Sequence, residues 1–190
     1  MVAGRCGAVI LAAGASERMG TPKALLPWGS ATLLDHAIGE MRSASVDHVV
    51  VVVGPATRHL HLDVETVFNP DPATGRSASI RLGCGALPEG LTAVLIQSVD
   101  QPVPAHILGK LFDTVGQLAD VAVPTYKGRR GHPVCFAGRL LGELRTVSEE
   151  DEGLRAVVRR HRVAEVSVDD ESVVWNLNDP AAYAAARANS

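Results

Sequence analysis

Ala8-Val-Ile-Leu-Ala-Ala-Gly14-Ala-Ser-Glu-Arg18-Met-Gly20-Thr-Pro22-Lys23 is the stretch from which the fold follows. Its first four residues form an apolar run that reads as a buried strand, and the run ends in small residues and a glycine. Two cations, Arg18 and Lys23, come next. Small residues let several main-chain N–H groups approach a ligand together, which suits the oxygens of a polyphosphate. Arg18 would add a planar fork of donors and Lys23 a mobile point charge. The spacing is not that of a P-loop, because the second glycine falls one place late and is followed by Thr21. Nor is it a dinucleotide fingerprint, since Gly14 has no glycine two places on.

Outward from this loop, the chain alternates strands and helices. Pro27-Trp28-Gly29 reads as a turn. Thr32 with Asp35 approximates a capping box ahead of Leu33, Leu34, Ala37, Ile38 and Met41, which fall at helical spacing. Val49 to Val53 is an unbroken β-branched run closed by Gly54-Pro55, as expected of a central parallel strand covered on both faces. His59 and His61 would share a face on a strand, but without a third ligand they form no metal set and read as a solvated helix or loop. Val64 to Phe68 reads as a strand. The segment from Asn69 to Gly83 is a turn leading into a helix, in which Ser77 either caps the helix or faces a ligand.

Ala93 to Ile96 is another buried strand. It runs into Gln97-Ser-Val-Asp100-Gln-Pro102, which places an acid where open α/β sheets bind ligands. A helix from Pro104 and a strand from Ala119 to Pro124 follow. Thr125 to Pro133, with Arg129, Arg130, Gly131 and His132, then forms a basic hairpin tip suited to an anion. A short helix over Leu140 to Leu144, a helix from Asp151 to His161, and strands at Val163–Val168 and Val173–Trp175 complete the pattern. Asn176-Leu-Asn178-Asp179-Pro180 turns into an Ala-rich last helix, and Asn178 or Asp179 could cap it.

The 190 residues suffice for one substantial domain. Apolar residues make up 46% and aromatics only 4%, so the core must be built from Val, Leu, Ala and Ile. A net charge of −3 gives no electrostatic case for a nucleic-acid partner. No apolar run approaches the ~20 residues of a membrane-spanning helix, and the N-terminus lacks the pattern of a signal peptide. Three scattered cysteines, Cys6, Cys84 and Cys135, offer neither a disulfide framework nor a zinc spacing, so reduced thiols in the cytoplasm are expected.

The pattern L-x-x-G-x-x-x-R-M-G-x-P-K, complete from Leu11 to Lys23, resembles the signature of the nucleotidyltransferases that include the molybdopterin guanylyl- and cytidylyltransferases. The resemblance extends to the Asp100-Gln-Pro102 segment, with Val99 where the family has glycine, and to the Arg130-Gly-His-Pro133 and Asn176-x-Asn178 segments. It is weaker over Gly75 to Ser79, where Arg76 replaces the usual apolar residue. What the resemblance implies is a three-layer Rossmann-like α/β fold, one nucleotidyltransferase domain over 1–190, with a mostly parallel sheet and one antiparallel strand.

The implied reaction is Mg²⁺-dependent transfer of a nucleoside monophosphate from an NTP to a phosphate monoester, with Mn²⁺ as the alternative metal. Arg18, Lys23 and Asp100 would be catalytic. Leu11, Ala12, Ala13, Gly14, Ser16 and Ser77 would bind nucleotide, and Arg130, Gly131 and His132 the acceptor. Asp100 with Asn178, or failing it Asn176, would hold the metal. Leu-Ala-Ala-Gly resembles pyrimidine-using members, which points to CTP, a molybdopterin-type acceptor and a molybdenum enzyme receiving the product. The Asn-x-Asn tail points instead to GTP. A different phosphorylated acceptor, and a non-catalytic nucleotide- or cofactor-binding delivery protein, stand as alternatives.

Overall fold

The computed structural model of the chain describes residues 5–14, 16, 19–116 and 118–188. Ten strands and six α-helices follow in order: β1 (Cys6–Ala12), β2 (Pro27–Trp28), β3 (Ala31–Thr32), α1 (Leu33–Ser43), β4 (His48–Val53), β5 (Glu65–Phe68), α2 (Arg76–Ala86), β6 (Ala93–Ser98), α3 (Ala105–Thr114), β7 (Val121–Tyr126), β8 (Arg129–Arg130), β9 (Val134–Ala137), α4 (Leu141–Leu144), α5 (Leu154–Arg160), β10 (Val163–Ser167) and α6 (Pro180–Ala188).

The main sheet runs β10-β7-β9-β6-β1-β4-β5, and β8 pairs with β7 as a short hairpin arm. Within that path β9 alone is antiparallel to its neighbours, β6 and β7. The expected mostly parallel α/β architecture with one antiparallel strand is therefore present. Ala8, Val9 and Ile10 of β1 are fully buried on both faces of the sheet, as are Val50 to Val52 of β4. Helices α1 and α3 pack together and α2 packs against α4, giving the layers that enclose the sheet. The capping box at Thr32 and Asp35 is formed as its residues dictate.

Topology fixes where a ligand can bind. The chain leaves β1 for β4 and β5 on one side, then returns to build β6, β9 and β7 on the other. The crevice beyond the carboxyl ends of β1 and β6 is thus the topological switch point, where open α/β sheets accept ligands.

Two local expectations are corrected. Val173–Trp175 is not a strand: Glu171–Val174 forms a 3-10 helix, started by the Asp170 side chain accepting from the Ser172 N–H at 2.8 Å. Its β-branched residues turn inward instead of pairing, and Val173 is fully buried. The Pro27-Trp28-Gly29 turn is larger than a turn, because β2 and β3 form a small antiparallel ribbon around Gly29 and Ser30. His59 and His61 are solvent-exposed in a loop, as their spacing implied.

Candidate active site

β1 ends at Ala12, and the chain then turns through Ala13 and Gly14, which with Leu11 and Ala12 line a cavity of about 430 Å³. Ser16 closes the turn. Its hydroxyl accepts the Lys23 N–H at 3.0 Å and its carbonyl accepts the Met19 N–H at 2.9 Å, so the loop folds back and delivers Lys23 to the cavity. Arg18, expected to be catalytic, lies outside the described residues.

Lys23 organises the charged centre of the cavity. Its ammonium donates to Asp100 Oδ2 at 2.5 Å and to Asn178 Oδ1. Three segments far apart in sequence meet here because main-chain bonds lace them together. The Val99 N–H donates to the Leu11 carbonyl at 3.1 Å, and the Leu177 N–H donates to the Asp100 carbonyl at 3.3 Å. Asp179 settles the capping question at α6: its carboxylate accepts the Ala182 N–H at 2.9 Å, leaving the Asn178 amide for Lys23. Asn176 lines only the adjoining cavity, whereas Asn178 lines both.

The divalent cation implied by the family can be tested against these donors. Asp100 and Asn178 offer hard oxygens of the kind Mg²⁺ and Mn²⁺ accept, and both already converge on a positive charge, the Lys23 ammonium. Two protein oxygens are what Mg²⁺ needs where phosphates and waters complete its shell. The donor set fits. Among the described residues no group of three or more His, Cys, Asp or Glu could hold a metal unaided.

Several supporting residues have no sequence signal of their own. Gln97 on β6 is fully buried, and its amide donates to the Gln101 carbonyl at 2.8 Å, bracing the turn that carries Asp100. Thr57 bonds the Ala12 carbonyl at 3.2 Å and fixes the end of β1. Asn69 donates to Ser79 Oγ at 2.9 Å and steadies the wall formed by α2. Most buried side-chain polar atoms find a partner, as the Gln97 amide nitrogen, the Thr57 hydroxyl and the Asn69 amide do here.

A second, wider cavity of about 990 Å³ adjoins the first and shares Arg76, Ser98, Asp100 and Asn178 with it. The basic hairpin reaches this part. Arg130 is held by Glu165 at 2.7 Å, and both side chains are more than half exposed. Gly131 packs so closely on the Val173 carbonyl that an added Cβ would lie 2.2 Å from its oxygen. The His132 N–H donates to that same carbonyl at 2.7 Å. Burial pushes the His132 imidazole below its usual range, the Arg76 charge adds to the shift, and Asp100 opposes it.

Ser77 is placed differently from the other predicted nucleotide residues. It is buried and absent from both cavity walls, and its N–H donates to Glu149 Oε1 at 2.6 Å. Glu149 thereby caps α2, while Gly75, at φ 110°, supplies the turn into the helix. That hydrogen bond from the Ser77 main chain is the main reason the Glu149 carboxyl titrates below its usual range. The cleft wall at this point is made by Gly75, Arg76 and Ser79.

Residues 8–166 match the model of the MobA-like NTP transferase domain. The chain belongs to this family. Curated relatives include the bifunctional protein GlmU of Caulobacter vibrioides, 30% identical over 183 residues, which are 90% of this chain but only 39% of that protein. The nicotine blue oxidoreductase of Paenarthrobacter nicotinovorans is 30% identical over 165 residues, 80% of either chain. A molybdenum cofactor guanylyltransferase of Sinorhizobium fredii is 32% identical, covering 87% of this chain and 79% of the relative. Rv0371c from Mycobacterium tuberculosis has a similar structure, with TM-score 0.84, 30% identity and both chains covered in full. That protein is also solved in complex with manganese, with TM-score 0.81, 26% identity and full coverage of both chains.

Proposed function

We propose that the chain transfers a nucleoside monophosphate from an NTP to a phosphate monoester and releases pyrophosphate. The observation that carries this reading is the convergence of Lys23, Asp100 and Asn178 at the mouth of the Gly14 loop. A phosphate monoester is largely ionised at neutral pH, its second pKa being about 6. Its oxygen therefore attacks without a base, and the cleft needs charge neutralisation and alignment more than proton transfer.

Main-chain groups of Ala13 and Gly14 would cradle the triphosphate, Arg18 would take the departing β and γ oxygens, and Lys23 would neutralise the α-phosphate. Asp100 and Asn178 would hold Mg²⁺ or Mn²⁺, which when bound draws charge from the phosphate oxygens. Arg130, Gly131 and His132 would face the acceptor. Burial and the Arg76 charge keep His132 neutral, so it serves there as a hydrogen-bonding group.

CTP is the favoured nucleotide, because the Ala13 methyl narrows the base side of the loop, and a molybdopterin-type cofactor is the favoured acceptor. GTP is the second reading, supported by Asn176-x-Asn178 and by relatives named molybdenum cofactor guanylyltransferase. We place the protein in the cytoplasm as one nucleotidyltransferase domain, in step with its buried thiols. Cys84 is pushed up to about 12 by burial, against the opposing charge of Arg145, and is inert as a result.

Incubation with Mg²⁺, molybdenum cofactor and either CTP or GTP, followed by pyrophosphate measurement, tests the reading. Release with CTP exceeding that with GTP is expected. Release with GTP alone would select the guanylyltransferase reading. Nucleotide-dependent thermal stabilisation without pyrophosphate would identify a delivery protein instead.

A further inference from the structure

Four residues line both halves of the cleft, namely Arg76, Ser98, Asp100 and Asn178, and Arg76 is the one cation among them. Lys23 lines only the nucleotide half and is engaged by Asp100 and Asn178. The cation at the junction, where the two reacting phosphates must meet, is thus Arg76.

Its guanidinium is uncommitted. No salt bridge among the described residues engages it, whereas neighbouring Arg130 is paired with Glu165 and Arg159 with Glu152 at 2.6 Å. The charges of Asp100 and Glu149 act on it, one from within the junction and one from the cap of its own helix. Its main chain is fixed by the same Glu149, which accepts the Ser77 N–H and packs against Gly75. A guanidinium without a salt bridge, on an anchored main chain and lining both cavities, is placed to receive a ligand anion.

We propose that Arg76 clamps the acceptor's nucleophilic phosphate at the junction of the two cavities. The planar fork takes two phosphate oxygens bidentately and aims the third at the α-phosphorus. That oxygen forms the new bond to Pα while the bond from Pα to the oxygen bridging to Pβ breaks. Pyrophosphate leaves with the electron pair, and no proton moves because the monoester arrives as a dianion. Lys23 is left to the nucleotide. The clamp commits the acceptor to a phosphate monoester, since a free hydroxyl would give the fork no pair of anionic oxygens to hold.

This proposal rests on the transferase reading, and binding measurements separate the two. Inorganic phosphate is titrated by ³¹P NMR at fixed ionic strength into wild type, Arg76→Met, Arg76→Lys and Lys23→Met. Each is measured alone and saturated with α,β-methylene CTP and Mg²⁺, after circular dichroism has checked folding. Arg76→Met is expected to weaken phosphate about tenfold or more, as loss of a charged hydrogen-bonding group does. Its affinity for the nucleotide analogue should stay within about twofold. Arg76→Lys should fall between wild type and Arg76→Met, and Lys23→Met should weaken the analogue and spare phosphate. A wild type that binds no analogue would remove the transferase reading, while Arg76-dependent phosphate binding would still support the clamp. Unchanged phosphate affinity in Arg76→Met overturns it, as does a loss confined to the nucleotide analogue.

Discussion

The two halves of the cleft are built by different means. The narrow half consists of strand ends, tight main-chain turns and one compact set of side chains, in which Lys23 joins Asp100 and Asn178. The wider half is walled by the antiparallel insertion around β9, by α5 and by the start of α2, and it presents arginines rather than main chain. The narrow half holds its charges in mutual contact, so its electrostatics are set before a ligand enters. The wide half leaves Arg76 uncommitted and ties Arg130 and Arg159 only through exposed pairs, which contribute little energy. A preorganised half suits the proposed triphosphate, and an adjustable half suits the proposed acceptor.

The comparison breaks most readily at Lys23 and Asp100. Lys23→Ala or Asp100→Ala is expected to lower kcat about 10²–10³-fold, the cost of losing one preorganised electrostatic contact. Melting temperature should fall as well, because the two side chains are only 15% and 14% exposed and removing either leaves the other charge unpaired, so rates are compared below the melting transition of each variant. Turnover at the wild-type rate in excess metal would falsify the assigned roles.

Gln97 tests whether the narrow half depends on bracing from behind. Gln97→Leu removes one hydrogen bond to the Gln101 carbonyl and an unpartnered buried amide oxygen. The buried Gln101 carbonyl loses its donor, so thermal stability should fall by roughly 1–3 kcal/mol, and kcat of the folded protein should fall about fivefold, the rate equivalent of about 1 kcal/mol. A loss of stability with kcat of the folded protein unchanged would instead mean that Gln97 serves packing alone.

Tyr183 probes the tether that brings the chain's end across this half. Its hydroxyl donates to the Pro27 carbonyl, and its ring stands beside Trp28, which in turn meets Trp175 edge-on. Tyr183→Phe should cost roughly 0.5–1.5 kcal/mol in denaturant unfolding. Intrinsic tryptophan fluorescence would report the loosened contact.

The wide half supplies the smallest effect, a pH dependence. The His132 pKa is lowered in the folded protein, chiefly by burial, so below about 6.5 the unfolded chain binds more protons than the folded one. Stability should therefore rise with pH up to that point and fall as pH drops below it. His132→Asn should flatten this part of the stability-against-pH curve, leaving the contribution of His36, whose pKa burial also lowers. An unaltered curve would show that His132 does not gate acid sensitivity.

The same contrast explains what was legible in the sequence. The narrow half is local: Leu11 to Lys23 is one continuous stretch, and Asp100 sits just past a run that can only be a core strand. Asn178 was legible as one of two candidates, and the choice required knowing that Asp179 caps α6. The wide half is assembled from α2, the β8 hairpin, α5 and the tail, whose mutual placement no spacing encodes. Arg76 stood out in the sequence only as a departure from an expected apolar residue. Its position at the junction depends on the Glu149 cap, which comes from more than seventy residues downstream. The resemblance over Gly75 to Ser79 points to Ser77 as a nucleotide contact, yet the residue is buried because the helix begins one residue earlier at Arg76. Val173 to Trp175 misled for a related reason, since β-branched residues near a buried 3-10 turn have the same composition as a short strand.

Isotope partition tests the central claim, nucleotidyl transfer, most directly. CTP labelled at the α-phosphate and CTP labelled at the γ-phosphate are each incubated with Mg²⁺, molybdenum cofactor and the protein, and the products are separated. The α label is expected in the acceptor product and the γ label in pyrophosphate, in equal molar amounts, with Lys23→Ala slowing both about 10²–10³-fold. Label from the γ position in free phosphate, or α label recovered only as free nucleotide, would contradict the claim.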